Sequence, residues 1–129
     1  MRGPERQAVA AILKHADSSK VTTNLWGERW SKLVINSMRN GLSAATGLSG
    51  NERDLSEGPR DVSIRLGGQA VRVGQALGFQ LEKLQVMDAE TLARAGEGSL
   101  DAKAEIVDQL IQLSKTRSEE QRPSMAQDI

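Results

Sequence analysis

The sequence has no cysteine and no excess of charge of either sign, and each absence excludes a class of protein. Without cysteine, neither a disulfide framework nor a thiolate zinc site can form. Lys and Arg total 17 and Asp and Glu total 17, so the basic excess of a general nucleic-acid or membrane-surface binder is missing. The one histidine, His15, lies between Lys14 and Asp17 and is expected at the surface, so no metal site is predicted.

Long apolar stretches are absent as well. No run approaches the ~20 apolar residues of a membrane span, and the N-terminus lacks the apolar segment of a signal peptide. A single soluble domain in the cytoplasm is therefore expected, with neither nucleic acid nor membrane as a partner. Aromatic residues are limited to Trp26, Trp30 and Phe79, and the two tryptophans, four residues apart, mark one segment of the chain.

What the sequence does contain is apolar residues at helical spacing, which predict an all-α domain of four or five helices with at most one strand. Capping residues and glycines give approximate helix ends. The predicted helices cover residues 6–16, a segment from the N-cap Asn24 to about Asn40, Pro59 to about Leu77, a segment from the N-cap Asp88 to Ala95, and a segment that begins at the N-cap Ser99.

Other local features give further expectations. Residues 20–23 are rich in β-branched side chains and predict a short strand, Gly41 is expected to end the second helix, and residues 49–59 are expected to form a loop. In the third helix, three glycines each cost about 1 kcal/mol against alanine, which favours close packing against a neighbour. One face of this helix carries the apolar residues Val62, Leu66, Ala70, Val73 and Leu77.

The clearest chemistry lies in residues 24–48. On a helix with ~3.6 residues per turn, Lys32, Asn36 and Asn40 fall within about 80° of one another. Asparagine is unfavourable inside a helix because its side chain competes for backbone hydrogen bonds. One ammonium and two carboxamides on the same side could bind hydroxyl, carbonyl or carboxylate oxygens. The spacing alone leaves an ordinary solvated face open as the alternative.

Two motifs in this sequence resemble those of one enzyme family. The pattern Trp30-x-Lys32-Leu33-x-x-Asn36-x-x-x-Asn40, followed by Leu-Ser-Ala, is similar to a segment of the ketopantoate reductases, the 2-dehydropantoate 2-reductases. Near the C-terminus, the segment from Ser124 to Asp128 resembles the S-M-x-Q-D motif of that family. Together, in this order and across a helical segment, the two motifs are specific.

The resemblance implies a fold and a role. Residues 24–129 would form the helical substrate-binding domain, of the 6-phosphogluconate dehydrogenase C-terminal-like type, and residues 1–23 would be the end of a nucleotide-binding domain. The family reduces ketopantoate to pantoate with NADPH in the pathway to pantothenate. By carry-over, Lys32 would be the catalytic general acid, and Asn36, Asn40 and Ser124 would bind the substrate.

The sequence also departs from the family. No G-x-G-x-x-G follows a predicted strand, so NADPH is expected to bind mainly to a Rossmann domain that is missing or separate. A family glutamate that follows the serine motif has no counterpart, and the domain is expected to be truncated and inactive alone. Two alternatives stay open: a non-enzymatic helical interaction or dimerisation module, and a relative that acts on another 2-oxo acid. The expected partners are a 2-oxo acid, the Rossmann domain and a second copy in a homodimer.

Overall fold

The computed structural model describes residues 3–15 and 21–116, and these ranges contain six α-helices. No strand is present in them, and the single isolated bridge joins Leu84 to Met87. The predicted all-α class is therefore confirmed. The helices are α1 (Gly3–Leu13), α2 (Leu25–Thr46), α3 (Gly50–Leu55), α4 (Glu57–Ala76), α5 (Ala89–Gly96) and α6 (Leu100–Lys115).

The short strand predicted at residues 20–23 is wrong in its described part, residues 21–23. The described ranges hold no neighbouring strand with which it could pair, and an isolated strand has nothing to stabilise it. The segment instead leads directly into α2. There the backbone N–H of Asn24 donates a hydrogen bond to the hydroxyl of Thr22 at 3.1 Å.

The hydrophobic core lies between α2, α4, α5 and α6, and α4 packs against both α2 and α5. Glycines allow α4 this close approach. A Cβ added at Gly74 would lie 2.2 Å from the indole of Trp30, and one added at Gly68 would lie 3.2 Å from the Cα of Gly96. The expected close packing of these glycines is confirmed. The largest buried apolar side chains of the four helices are Val34, Met38, Ile64, Val71, Leu92, Ile106 and Leu110.

The apolar face of α4 that the sequence indicates lies mostly toward solvent. We call its five residues, Val62, Leu66, Ala70, Val73 and Leu77, the α4 stripe. Ala70 is half-buried, and the other four are exposed. The buried face of α4 instead combines three glycines and a serine with Ile64 and Val71, because helix axes approach most closely where side chains are small. Its members are Ser63, Ile64, Gly67, Gly68, Val71 and Gly74.

Two helix ends also differ from expectation. Gly41 does not end α2, which continues to Thr46 and ends at Gly47; there φ is 72° and the backbone N–H donates to the carbonyl of Ser43. The predicted loop at residues 49–59 is wrong because it contains α3 and the start of α4. Helix α3 begins with a capping box: Ser49 accepts from the backbone of Glu52 and its own N–H donates to that glutamate's carboxylate.

The three N-caps that the sequence predicted are confirmed. The side chains of Asn24, Asp88 and Ser99 accept hydrogen bonds from Gly27, Thr91 and Ala102, respectively. Each partner lies three residues further along the chain, the usual geometry for a cap.

An exposed ionic network joins α4 to α5. The guanidinium of Arg72 binds Glu90 at 2.8 Å and Glu97 at 2.5 Å. Hydrogen bonding to Arg72, and then to Gln75, holds the pKa of the Glu90 carboxyl below its ordinary value. Hydrogen bonds to Glu90 and Glu97 likewise raise the pKa of Arg72 above its ordinary value.

Candidate functional site

Hydrogen bonds join the start of α2 to the segment between α4 and α5. The carboxamide of Asn24 accepts from the backbone of Gly27, and its NH2 donates to the Gln80 carbonyl at 2.7 Å and to the Glu82 carboxylate at 2.9 Å. The cap therefore also makes a tertiary contact. Sequence reasoning identified the cap and missed the tertiary contact, since those partners lie 56 and 58 residues away.

Further along α2, two polar groups fix which side of the helix faces the core. The hydroxyl of Ser31 donates to Gly27 and accepts from the backbone N–H of Glu82 at 2.9 Å. The indole N–H of Trp30 donates to the Ala70 carbonyl of α4 at 2.8 Å. Because Val34 is buried on the same side, the rotation of α2 about its axis is determined.

This rotation turns Lys32, Asn36 and Asn40 away from the core. Lys32 and Asn36 are exposed, and Asn40 is half-buried. All three lie within the unbroken helix α2, so their side chains follow one another at intervals of one turn over about 12 Å. We call these residues the polar stripe. It presents one ammonium and two carboxamides that could contact a small oxygen-rich molecule together.

Exposed apolar side chains border the polar stripe. Among the apolar residues of α2, Val34 and Met38 are buried and Trp30 is half-buried, whereas Leu33 and Trp26 are exposed. Trp26 is the most exposed aromatic residue, at 61%. It stacks on Phe79 with ring centroids 6.3 Å apart, and the guanidinium of Arg29 lies 5.1 Å from its ring. The tryptophan pair therefore divides between core packing, by Trp30, and the surface.

Two cavities lie away from the polar stripe. One, of about 420 Å³, is lined by Gln75, Phe79 and Glu90 among others, and the other, of about 320 Å³, by residues of α4, α5 and α6. Neither includes Lys32, Asn36 or Asn40. Ser124, the fourth predicted site residue, lies outside them.

Sequence reasoning gave no attention to the most deeply buried charges. Arg53 and Asp54 of α3 are 2% and 0% exposed, and the Nε of Arg53 lies 2.8 Å from Oδ1 of Asp54. They occur in a polar stretch that was expected to be a loop. The capping-box pattern of Ser49 and Glu52 was the available sign that a helix begins there.

Within residues 3–15 and 21–116, no three His, Asp or Glu side chains gather closely enough to hold a metal ion. The same residues contain no helix with the length and apolar character needed to cross a membrane.

The described part of the chain is thus an all-helical domain whose longest helix carries a polar stripe on its solvent side. Comparison with protein families identifies the family of this domain. Residues 24–129 match the family model described as ketopantoate reductase PanE/ApbA C terminal, and the chain belongs to this family. No curated protein and no solved structure gives a significant match.

Proposed function

We propose that this chain is the substrate-binding domain of an NADPH-dependent 2-dehydropantoate 2-reductase. In this proposal residues 24–129 form the helical domain and residues 1–23 are the end of a nucleotide-binding domain. The observation that carries it is the position of Lys32, Asn36 and Asn40 on the one side of α2 that faces away from the core, in a member of the family. The substrate is a 2-oxo acid that also carries a hydroxyl group.

The chemistry assigned to Lys32 follows from its charge and position. Reduction of a 2-oxo acid builds negative charge on the carbonyl oxygen at C2, and an ammonium beside that oxygen stabilises the transition state more than the ground state. Lys32 can also donate the proton that the oxygen needs to become a hydroxyl. Asn36 and Asn40 would hold the substrate's hydroxyl and carboxylate, and Ser124 would assist at the carboxylate.

The described residues do not fit the pyrophosphate of a dinucleotide. A Rossmann site needs a strand, a glycine-rich turn and a helix in succession, and the described ranges contain no strand. We therefore assign only the substrate side of the reaction to this chain.

We expect the purified 129-residue chain neither to bind NADPH nor to oxidise it in the presence of ketopantoate. Binding would be measured by the nicotinamide fluorescence of NADPH during a titration. The NADPH concentrations should be those that saturate a Rossmann dehydrogenase used as a positive control. Turnover above the rate without protein would contradict this division of labour.

Weak binding of ketopantoate to the polar stripe is the test of the proposed function. In a ¹⁵N NMR titration of the chain, the side-chain NH2 signals of Asn36 and Asn40 should shift with the ligand. Lys32→Ala should weaken the binding roughly tenfold or more, because a hydrogen bond to a charged group contributes about 1.5–3 kcal/mol. The thermal midpoint should change little, since Lys32 is exposed.

Two controls make this titration specific. Lys115→Ala removes an exposed lysine from α6 and should leave binding unchanged. A 2-oxo acid of similar size without the hydroxyl should bind more weakly if an asparagine contacts that group. Signals that move equally for wild type and Lys32→Ala would rule out the assignment of Lys32, and equal affinity for both acids would indicate a relative with another substrate.

A further inference from the structure

The α4 stripe is an apolar surface that neither the core nor the polar stripe uses. Val73 and Leu77 are 51% and 59% exposed, and the five residues follow one another over about 22 Å of helix within an arc of about 80°. Apolar residues that are contiguous and exposed along a whole helix indicate a surface that another molecule covers.

The pattern of the stripe fits a second copy of the same helix. Val62 and Leu77 lie at equal distances on either side of the midpoint between Gln69 and Ala70, and so do Leu66 and Val73. When a second α4 is laid antiparallel across this midpoint, each valine faces a leucine and the small Ala70 lies at the crossing. Such a self-complementary surface is what a two-fold symmetric interface requires.

We propose that two copies of this chain form a symmetric dimer in which their α4 helices pair antiparallel through the α4 stripe. This inference goes beyond the proposed function, because it uses no residue of the polar stripe and holds for any substrate.

Charge favours this pairing. The charged residues of α4 lie at least about 100° around the helix from the centre of the stripe, and several are already engaged. Arg72 binds Glu90 and Glu97 of α5, and Asp61 binds Lys103 of α6 at 3.1 Å. No charge of α4 has to lose its water when a second α4 covers the stripe, so the large cost of burying an ion does not arise.

The exposed apolar area is also large enough for a stable dimer interface. Trp30 reaches from α2 to Gly74, and Trp26 and Leu33 lie on the same side of α2, so both extend the surface. With roughly 100 Å² for an aliphatic side chain and 200 Å² for an aromatic one, the exposed fractions give roughly 400 Å² of apolar area per copy. Because interfaces are about 60% apolar, this corresponds to roughly 1,300 Å² in total, which falls within the range of stable dimers.

Introduced cysteines test both the dimer and its direction, because the chain contains none of its own. Ala70→Cys lies at the crossing and should form a disulfide-linked dimer under mild oxidation. Val62→Cys alone should not, because the two copies of residue 62 would be about 22 Å apart. Mixing Val62→Cys with Leu77→Cys should produce the mixed disulfide. Linkage of Val62→Cys to itself, or no linkage of Ala70→Cys, would overturn the antiparallel pairing.

Light scattering coupled to size-exclusion chromatography should give twice the 14.0 kDa mass of one chain at high protein concentration. The double substitution Leu66→Glu with Val73→Glu should reduce this to a monomer, with circular dichroism confirming that the helices remain. Val9→Glu with Ile12→Glu changes exposed apolar residues of α1 in the same way and should leave the dimer intact. The proposal would be contradicted if the wild-type chain had the mass of a monomer at every concentration. It would also be contradicted if the variant with both α4 substitutions remained a dimer.

Discussion

Asp54→Ala is expected to lower the free energy of unfolding by about 3–5 kcal/mol, the usual cost of removing one partner from a buried ion pair. Asp54 is fully buried, and its carboxylate accepts from Nε of Arg53 at 2.8 Å. The Nη1 atom of Arg53 is also buried and has no hydrogen-bond partner in the part of the chain that the structure describes. Without the carboxylate, the buried guanidinium would lose the ion-pair partner that it has in this structure. Urea unfolding followed by circular dichroism measures the loss.

Two variants separate the ion pair from a general sensitivity of the fold. Arg53→Met with Asp54→Leu removes both charges and should lie far closer to wild type than Asp54→Ala, since neither residue is then left unpaired. Glu97→Ala breaks an exposed bridge to Arg72 and should cost less than about 1 kcal/mol. If Asp54→Ala costs no more than Glu97→Ala, the pair is not buried in solution.

The features of this fold that the sequence predicted are local ones. Asn24, Asp88 and Ser99 were identified as caps because each acts on a backbone group three residues away. The position of the polar stripe on a single helix likewise depends only on the helical period, and α2 runs unbroken through Lys32, Asn36 and Asn40.

The features that the sequence did not predict depend on partners far away along the chain. The orientation of α4 does not follow from its larger apolar residues, because the residues that meet Trp30, Met38 and α5 are glycines. The continuation of α2 beyond Gly41 was missed because a glycine was taken as a stop. Gly41 has no atom near its missing side chain, and Gly47 provides the left-handed conformation that ends the helix.

These two kinds of glycine lead to opposite effects of the same substitution. Gly74→Ala is expected to destabilise the domain by about 1–3 kcal/mol. Its Cβ would lie 2.2 Å from Nε1 of Trp30, so the indole has to move and lose its hydrogen bond to the Ala70 carbonyl. Overpacking of a filled core typically costs about 1–3 kcal/mol and a lost hydrogen bond about 1 kcal/mol more, against a gain of about 1 kcal/mol in helix propensity.

Gly41→Ala is the matched control, because it makes the identical change inside α2 where nothing lies within 4 Å of the new Cβ. Only the gain in helix propensity remains there, so it should stabilise the protein by about 0.5–1 kcal/mol. Thermal and urea midpoints of the two variants should therefore move in opposite directions from wild type. A shift of the same sign for both would mean that Trp30 does not pack against Gly74. The rotation of α2 that turns Lys32, Asn36 and Asn40 away from the core would then rest on fewer contacts.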